Sequence, residues 1–207
     1  WGEYGNASLF MNAGILDIKG YGLTINDAYP YAFTGSISGG TIRTQGSFIT
    51  QSPGFNPIGG LVEFYGTGNH LMQTLNGSSF YNVKVNRSDN FLRRLSVYSS
   101  VVKNNFIIEE GMAEVTFGSE LQCGNNLEIQ DGGLLALTSG TLSMGNLAAV
   151  NVFQNGIFSS FGYEGAISVV KGISSENVYS FSVNSGGNIE AVYTVFEDLP
   201  LQGVYIA

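Results

Sequence analysis

The stretch that decides the fold reads LQCGNNL at residues 121–127 and returns 21 residues later as LSMGNL at residues 142–147, with one residue dropped before the final Leu. An Asn-Asn-Phe triplet at residues 104–106 precedes the first copy at the same interval. Glycine pairs at 39–40 and 59–60 lie 20 residues apart, and each pair precedes a β-type run. A degenerate repeat of about 20 residues is typical of solenoid proteins, in which each unit forms one coil.

Composition favours strands and turns over helices. The chain has 207 residues, of which 29 are Gly and only 12% are charged. Gly weakens helices and supports turns, whereas Phe, Tyr, Val and Ile favour the pleated surface of a strand. Alternation with a period of two residues is clear at 81–86 and 179–183. The run 89–95 fits either one or two turns of helix or a loop that carries Arg93 and Arg94.

These features predict an all-β parallel β-helix with coils of about 20 residues. It forms a single body over residues 1–207, with less regular rungs over 1–100 and more regular coils over 101–207. The alternative is an antiparallel β-sandwich, which also has many short strands and turns. A sandwich does not predict a sequence repeat of about 20 residues, so the solenoid is preferred.

The repeat also predicts which side chains stack, because residues one coil apart are neighbours in a solenoid. We expect Leu127 and Leu147 to occupy equivalent inward positions. Cys123 and Met144 are expected to be equivalent in the same way. The recurrent residues Asn105, Asn126 and Asn146 predict an internal ladder of side-chain amides.

Charge and cysteine content narrow the classes of function. Eight basic residues against sixteen acidic ones give a net charge of −8, which disfavours binding to nucleic acid or to anionic membrane surfaces. No stretch approaches the roughly 20 apolar residues of a spanning helix, so no membrane insertion is predicted. The single Cys123 is interpreted as a small core residue. The chain begins at Trp1 rather than Met, which indicates either that a leader has been removed or that the chain is a fragment of a longer protein, and we expect the fragment.

Two segments resemble a known group of proteins. Residues 59–70 read GGLVEFYGTGNH and residues 80–86 read FYNVKVN. This pattern resembles a unit of secreted parallel β-helix repeat surface proteins of Bacteroidetes-type bacteria, and residues 179–197 look like a companion segment. The resemblance implies a right-handed parallel β-helix and a secreted, cell-surface or extracellular location. His70 stands where that group commonly has Gln, and the resemblance implies no activity for any residue.

Polysaccharide lyases and hydrolases also use parallel β-helices, with clustered carboxylates that transfer protons or bind Ca²⁺. In this chain the acidic doublet Glu109-Glu110 is interpreted as an ordinary solvated turn, because on a strand its two carboxylates would point to opposite faces. His70 is interpreted as a surface turn residue, because the sequence shows no further residues that would complete a metal or acid–base site with it. Arg93-Arg94 is interpreted as a solvated pair rather than an anionic glycan site. The sequence predicts no enzymatic activity, no catalytic residue, no cofactor and no metal. The five aspartates are scattered beside turns: Asp17, Asp27, Asp89, Asp131 and Asp198.

Aromatic residues in or beside turns leave a glycan-binding platform open as an alternative to ordinary coil-edge packing, because exposed rings pack well against sugar faces. These residues are Tyr4, Tyr21, Tyr29, Tyr31, Tyr65 and Tyr163.

The sequence as a whole predicts a non-enzymatic structural or adhesive scaffold segment of a larger bacterial surface protein or extracellular fibre. A polysaccharide-binding or polysaccharide-degrading β-helix domain is the alternative. The nearly uncharged segment 199–207 reads as a strand that pairs with something beyond it. The expected partners are adjoining repeats of the same parent chain or identical subunits, with glycans as a further ligand class. The predicted interface residues are Leu201, Val204, Tyr205 and Ile206.

Overall fold

The computed structural model describes residues 8–27, 33–88, 91 and 93–207. They form a parallel β-solenoid of about 8 turns with roughly 23 residues per turn. The parallel β-helix prediction is confirmed, and the antiparallel sandwich is wrong. In the described part of the chain, no helix is long and apolar enough to cross a membrane.

The strands in chain order are β1 (Ser8–Met11), β2 (Ile15–Asp17), β3 (Leu23–Ile25), β4 (Thr34–Ile37), β5 (Thr41–Thr44), β6 (Phe48–Thr50), β7 (Leu61–Tyr65), β8 (His70–Thr74), β9 (Asn82–Asn86), β10 (Arg94–Tyr98), β11 (Ser100–Val102), β12 (Phe106–Val115), β13 (Glu120–Cys123), β14 (Asn126–Ile129), β15 (Gly133–Thr138), β16 (Thr141–Met144), β17 (Ala149–Val152), β18 (Ile157–Phe161), β19 (Ser168–Gly172), β20 (Ser180–Val183), β21 (Asn188–Val192), β22 (Thr194–Phe196) and β23 (Val204–Ile206).

Three parallel sheets form the walls of the solenoid. Sheet 1 contains β2, β5, β7, β9, β12, β14, β17, β20 and β23 in that order. Sheet 2 contains β3, β6, β8, β10, β12, β15, β18 and β21, and sheet 3 contains β11, β13, β16, β19 and β22. Strand β12 bends at Gly111, whose φ of 84° lies in the left-handed region, so its two halves belong to different sheets. Strands β1 and β4 pair separately.

Inward side chains form continuous columns along the solenoid axis. In sheet 1 the central members, from Val83 through Phe106 and Leu127 to Val150, are fully buried. Such in-register stacking buries apolar surface coil by coil, and the backbone hydrogen bonds between coils run parallel to the axis. With neighbouring strands about 4.8 Å apart, eight coils span about 40 Å. The whole column is Leu16, Ile42, Val62, Val83, Phe106, Leu127, Val150, Phe181 and Val204.

One of the two predicted stacking pairs is confirmed and the other is wrong. Cys123 is in register with Met144, and both are fully buried. Leu127 is in register with Val150 rather than with Leu147. Leu147 is 82% exposed and has a φ of 60°. The corner between β16 and β17 is two residues longer than the corner between β13 and β14, and it carries Leu147 out to the solvent.

An amide ladder exists, and it includes the predicted Asn105, but its other members differ from those predicted. Asn82 donates to the Gly60 carbonyl at 2.9 Å, and Asn104 donates to the side chain of Asn82 at 2.8 Å. Asn125 continues the ladder by donating to the side chain of Asn104 at 3.2 Å, and it also donates to that of Asn105 at 3.1 Å. These residues lie at the corner before sheet 1, where they are partly exposed rather than internal. The prediction of an internal ladder through Asn126 and Asn146 is therefore wrong.

The run 89–95 ends in a strand, not a helix. Arg94 and Leu95 begin β10, and Leu95 is fully buried. Asp89, Asn90 and Leu92 lie outside the described residues.

Candidate functional site

The last described coil presents the predicted interface. Val204 is in register with Phe181, and Ile206 is in register with Val183, so these two side chains end two core columns. Ile206 is exposed and Val204 is only partly buried, whereas the equivalent residues one coil earlier are buried. Tyr205 alternates with them and points away from the core, and Leu201 is fully exposed in the preceding turn.

Strand β23 pairs with β20 on one side, and in the described residues no strand pairs with its other edge. Such an edge presents backbone N–H and C=O groups to any further parallel strand. The first coil resembles the last, since Ile15 and Leu16 of β2 are exposed and β2 pairs only with β5 in the described chain. Both ends of the described solenoid therefore combine apolar side chains with strand edges.

A second feature lies on the solvent side of sheet 2. Ala136 and Ser159 are in register and face away from the core, since their neighbours Leu135, Leu137 and Phe158 fill it. Both outward residues are nevertheless buried. Larger side chains on either side of these small residues account for that burial.

We call this feature the sheet 2 groove. Its floor is Glu114, Ala136 and Ser159, one wall is Met112, Leu134 and Ile157, and the other wall is Thr138 and Phe161.

The floor of the sheet 2 groove carries one charged side chain. Glu114 is buried, and its Oε2 lies 2.7 Å from the Nε of Arg94. The Thr138 hydroxyl donates to the Glu114 Oε1 at 2.7 Å. A buried carboxylate needs such partners, because desolvation of an unpaired charge is costly. Arg94 is exposed, as its interpretation as a solvated residue from sequence implies, and it also forms this ion pair; Arg93 is exposed as well.

Two aromatic rings lie at the corner beyond the Thr138 and Phe161 wall. Phe117 and Tyr163 are 65% and 56% exposed. Their ring centroids lie 6.5 Å apart with an interplanar angle of 18°. Near-parallel rings that remain this exposed form a small apolar surface of fixed orientation.

Of the other predicted tyrosines, the two that the structure describes do not join this corner. Tyr65 donates its hydroxyl to Asp17 at 2.7 Å, and the guanidinium of Arg43 lies 4.3 Å from its ring centroid. Tyr21 is exposed near the opposite end of the described solenoid. Tyr4, Tyr29 and Tyr31 lie outside the described residues.

Charged side chains of alternating sign form a ladder on the solvent side of sheet 1. Arg43 contacts Glu63 at 2.6 Å, and Lys84 bridges Glu63 at 3.2 Å and Glu109 at 3.0 Å. Burial raises the pKa of Glu63, but the hydrogen bonds and charges of Lys84 and Arg43 outweigh it, so the pKa lies below the usual value. The ladder joins successive coils and gives Glu109 a structural partner.

Among the described residues, the carboxylates considered from sequence do not form an acid–base cluster. Asp131 accepts a hydrogen bond from Asn155 at 3.1 Å, and Asp17 accepts one from Tyr65. The ring of His70 lies 3.3 Å from the Thr67 carbonyl at a turn. Within residues 8–27, 33–88, 91 and 93–207, no three His, Cys, Asp or Glu side chains are grouped so that they could hold a metal ion.

Cys123 is a core residue, as the sequence predicted. Its side chain is fully buried, and burial raises the pKa of the thiol to about 12. A thiol with so high a pKa is almost entirely protonated at neutral pH and is a poor nucleophile.

No family model, curated protein or solved structure matches the chain. Its function is therefore inferred from the geometry of the core columns and the end coils.

The sheet 2 groove was missed from sequence, although one signal was available. Residues 134–137 read LLAL, so this segment is apolar at every position. A strand that is apolar on both faces indicates an outer face that is not simply solvated. Ser159 gives no such signal, because its place beside Ala136 depends on the register between coils.

Proposed function

We propose that the chain is a non-enzymatic structural segment of a larger, extracellular bacterial surface protein or fibre, in which it acts as a rigid spacer or adhesive stalk. The observation that carries this proposal is the core column of sheet 1, which continues in register from Leu16 in β2 to Val204 in β23. A column of this kind resists bending, because each coil packs on both neighbours. The charge ladder and the amide ladder support the same continuity on the outside.

The end coils support stacking onto further coils. Val204 and Ile206 leave two core columns open, and the free edge of β23 offers backbone groups in parallel orientation. The partner that fits is another parallel β-coil, because it satisfies the strand edge and covers the apolar side chains together. We favour further repeats of the same parent chain as the source of that coil. A second copy of the chain offers the same chemistry, through a head-to-tail contact that leaves the chain ends open for further addition.

Sedimentation velocity of the purified chain over a range of concentrations tests this proposal. The wild-type chain is expected to self-associate, and the double substitution Val204→Lys with Ile206→Lys is expected to suppress association by placing charge at the open core columns. A matched control is Ile173→Lys with Val178→Lys, since both residues are 43% exposed and lie outside the last described coil. The stacking interface is refuted by a wild-type chain that is monomeric at every concentration, or by equal effects of the two double variants.

A further inference from the structure

The sequence contains two Asn-Gly dipeptides, and the structure places them in turns of different kinds. They are Asn76-Gly77 and Asn155-Gly156. In such a pair the backbone nitrogen of Gly can attack the side-chain amide of the preceding Asn, because Gly has no side chain that obstructs the approach and its backbone rotates freely. The surrounding fold therefore decides whether each of the two sites can react.

Asn76 and Gly77 lie at the tip of an exposed turn between β8 and β9. The Ser78 N–H closes this turn by donating to the Leu75 carbonyl at 3.0 Å. The φ values of Asn76 and Gly77 are 54° and 79°, and two positive values are typical of a type I′ turn. In the described part of the chain the Gly77 N–H donates no hydrogen bond, and a Cβ added to Gly77 would meet nothing within 4 Å. The attacking nitrogen is therefore open to solvent, and its peptide group has room to rotate.

The second Asn-Gly pair is restrained by its surroundings. The Gly156 N–H donates to the Phe153 carbonyl at 2.9 Å, and the side-chain amide of Asn155 donates to Asp131 at 3.1 Å. Gly156 is buried, and a Cβ added to it would overlap the carbonyl oxygen of Ile129 in the preceding coil. Attack by the Gly156 nitrogen would require these contacts to break first.

We propose that Asn76 is a site of spontaneous deamidation in the folded chain, and that the fold protects Asn155 from the same reaction. The Gly77 nitrogen loses its proton to solvent base and attacks the side-chain carbonyl carbon of Asn76. A new C–N bond closes a succinimide ring, the bond to Nδ2 breaks, and ammonia leaves. Water then opens the ring at either carbonyl and gives aspartate or isoaspartate. The net reaction consumes water and releases ammonia, and it does not depend on the proposed function.

Deamidation of Asn76 would alter a contact between successive coils. The side-chain amide of Asn76 donates to the carbonyl of Gln51, in the turn one coil earlier, at 3.0 Å. Both products lack this donor and would place a carboxylate near that carbonyl oxygen. Asn76 and Glu120 also line the same surface cavity, so the reaction would bring a second negative charge to it. We therefore expect the converted chain to be less stable than the unconverted one.

Peptide mapping by mass spectrometry tests the proposal, after the folded chain has been incubated in heavy-oxygen water at mildly alkaline pH. The peptide with Asn76 is expected to convert about tenfold faster or more than the peptide with Asn155, because of the two glycine nitrogens only that of Gly156 is held in a hydrogen bond. Each converted site is expected to carry a heavy oxygen atom from the water. In the urea-unfolded chain the two sites are expected to convert at similar rates, since both are Asn-Gly.

Two substitutions separate the reaction from its consequence. Asn76→Gln is expected to stop conversion at this site and to leave the rate at Asn155 unchanged, because a longer side chain disfavours the five-membered ring. Asn76→Asp lacks the amide donor and is expected to lower the midpoint of thermal unfolding, as the converted wild-type chain does. The proposal is overturned if Asn76 stays intact in the folded chain, or if Asn155 converts as fast as Asn76 there. An Asn76→Asp variant with the wild-type midpoint would refute the loss of the contact between coils.

Discussion

At the scale of single residues, Leu127 is a position at which the contribution of one core side chain to stability can be measured. Its side chain is fully buried between Phe106 and Val150 of neighbouring coils. We expect Leu127→Ala to lower the free energy of unfolding by about 2–5 kcal/mol, because it removes apolar contacts and leaves a cavity. Urea unfolding followed by circular dichroism measures the change.

Leu147 provides the control for that substitution. It comes from the second copy of the repeat but is exposed at a corner, so Leu147→Ala is expected to change the free energy of unfolding by no more than about 0.5 kcal/mol. Equal costs at the two positions would contradict the register of sheet 1.

Glu63 makes the stability of the solenoid dependent on pH. Its pKa is lowered in the folded chain, so its stabilising contribution is complete above the ordinary value of 4.5 and is lost as the pH falls through the lower folded pKa. Glu63→Gln is expected to lower the free energy of unfolding by about 1–3 kcal/mol at pH 7, since it breaks the ion pairs with Arg43 and Lys84.

Urea unfolding repeated between pH 3 and pH 7 measures this dependence. Below about pH 4.5 the wild-type stability is expected to fall more steeply with decreasing pH than that of Glu63→Gln. The exposed Glu110 serves as the comparison, and Glu110→Gln is expected to keep the wild-type slope. A Glu63→Gln variant with the full wild-type slope would show that other groups cause the pH dependence.

At the scale of strands and corners, stacked glycines fix how closely successive coils approach. A Cβ atom added to Gly145 would overlap the carbonyl oxygen of Gly124, and one added to Gly124 would overlap that of Lys103. We expect Gly145→Ala to lower the free energy of unfolding by about 1–3 kcal/mol or more, because the backbone of one coil must move away from the next.

Gly20 offers a matched comparison for this glycine. Its added Cβ would meet nothing within 4 Å, and Gly20→Ala is expected to be nearly neutral. Thermal unfolding of the two variants under identical conditions distinguishes them. A Gly145→Ala variant as stable as Gly20→Ala would mean that the corner has room to relax.

The same corner shows how far the sequence predicts the fold. The echo of residues 121–127 at 142–147 predicts the parallel coil and the Cys123–Met144 register correctly, because both copies share a strand and a glycine. It fails at Leu147, because corners absorb insertions that strands cannot, and spacing alone does not show which residue lies in a corner. The proposed interface residues follow from apolar patterning at the chain end and stay predictions. The sheet 2 groove depends on which residues of successive coils pair with each other, and this pairing cannot be read directly from the sequence.

At the scale of the whole molecule, the scattered carboxylates favour a protein without glycan-cleaving activity. We expect the purified chain to release neither reducing ends nor unsaturated products from pectin or alginate, with or without Ca²⁺. A reducing-sugar assay and absorbance of unsaturated uronates measure this, with a known pectate lyase run in parallel. Steady product release that is abolished by substituting Asp131 or His70 would overturn the prediction.

The direction of the hydrogen bonds has a mechanical consequence. Because the bonds between coils run along the axis, a force that pulls the two ends apart loads only the bonds of the outermost coil at any moment, and it peels coils away in sequence. Each coil of roughly 23 residues that comes loose would lengthen the tether by about 70–80 Å, given about 3.4 Å per extended residue. Under tension such a segment would lengthen in steps, one coil at a time, although it is stiff when it bears no load.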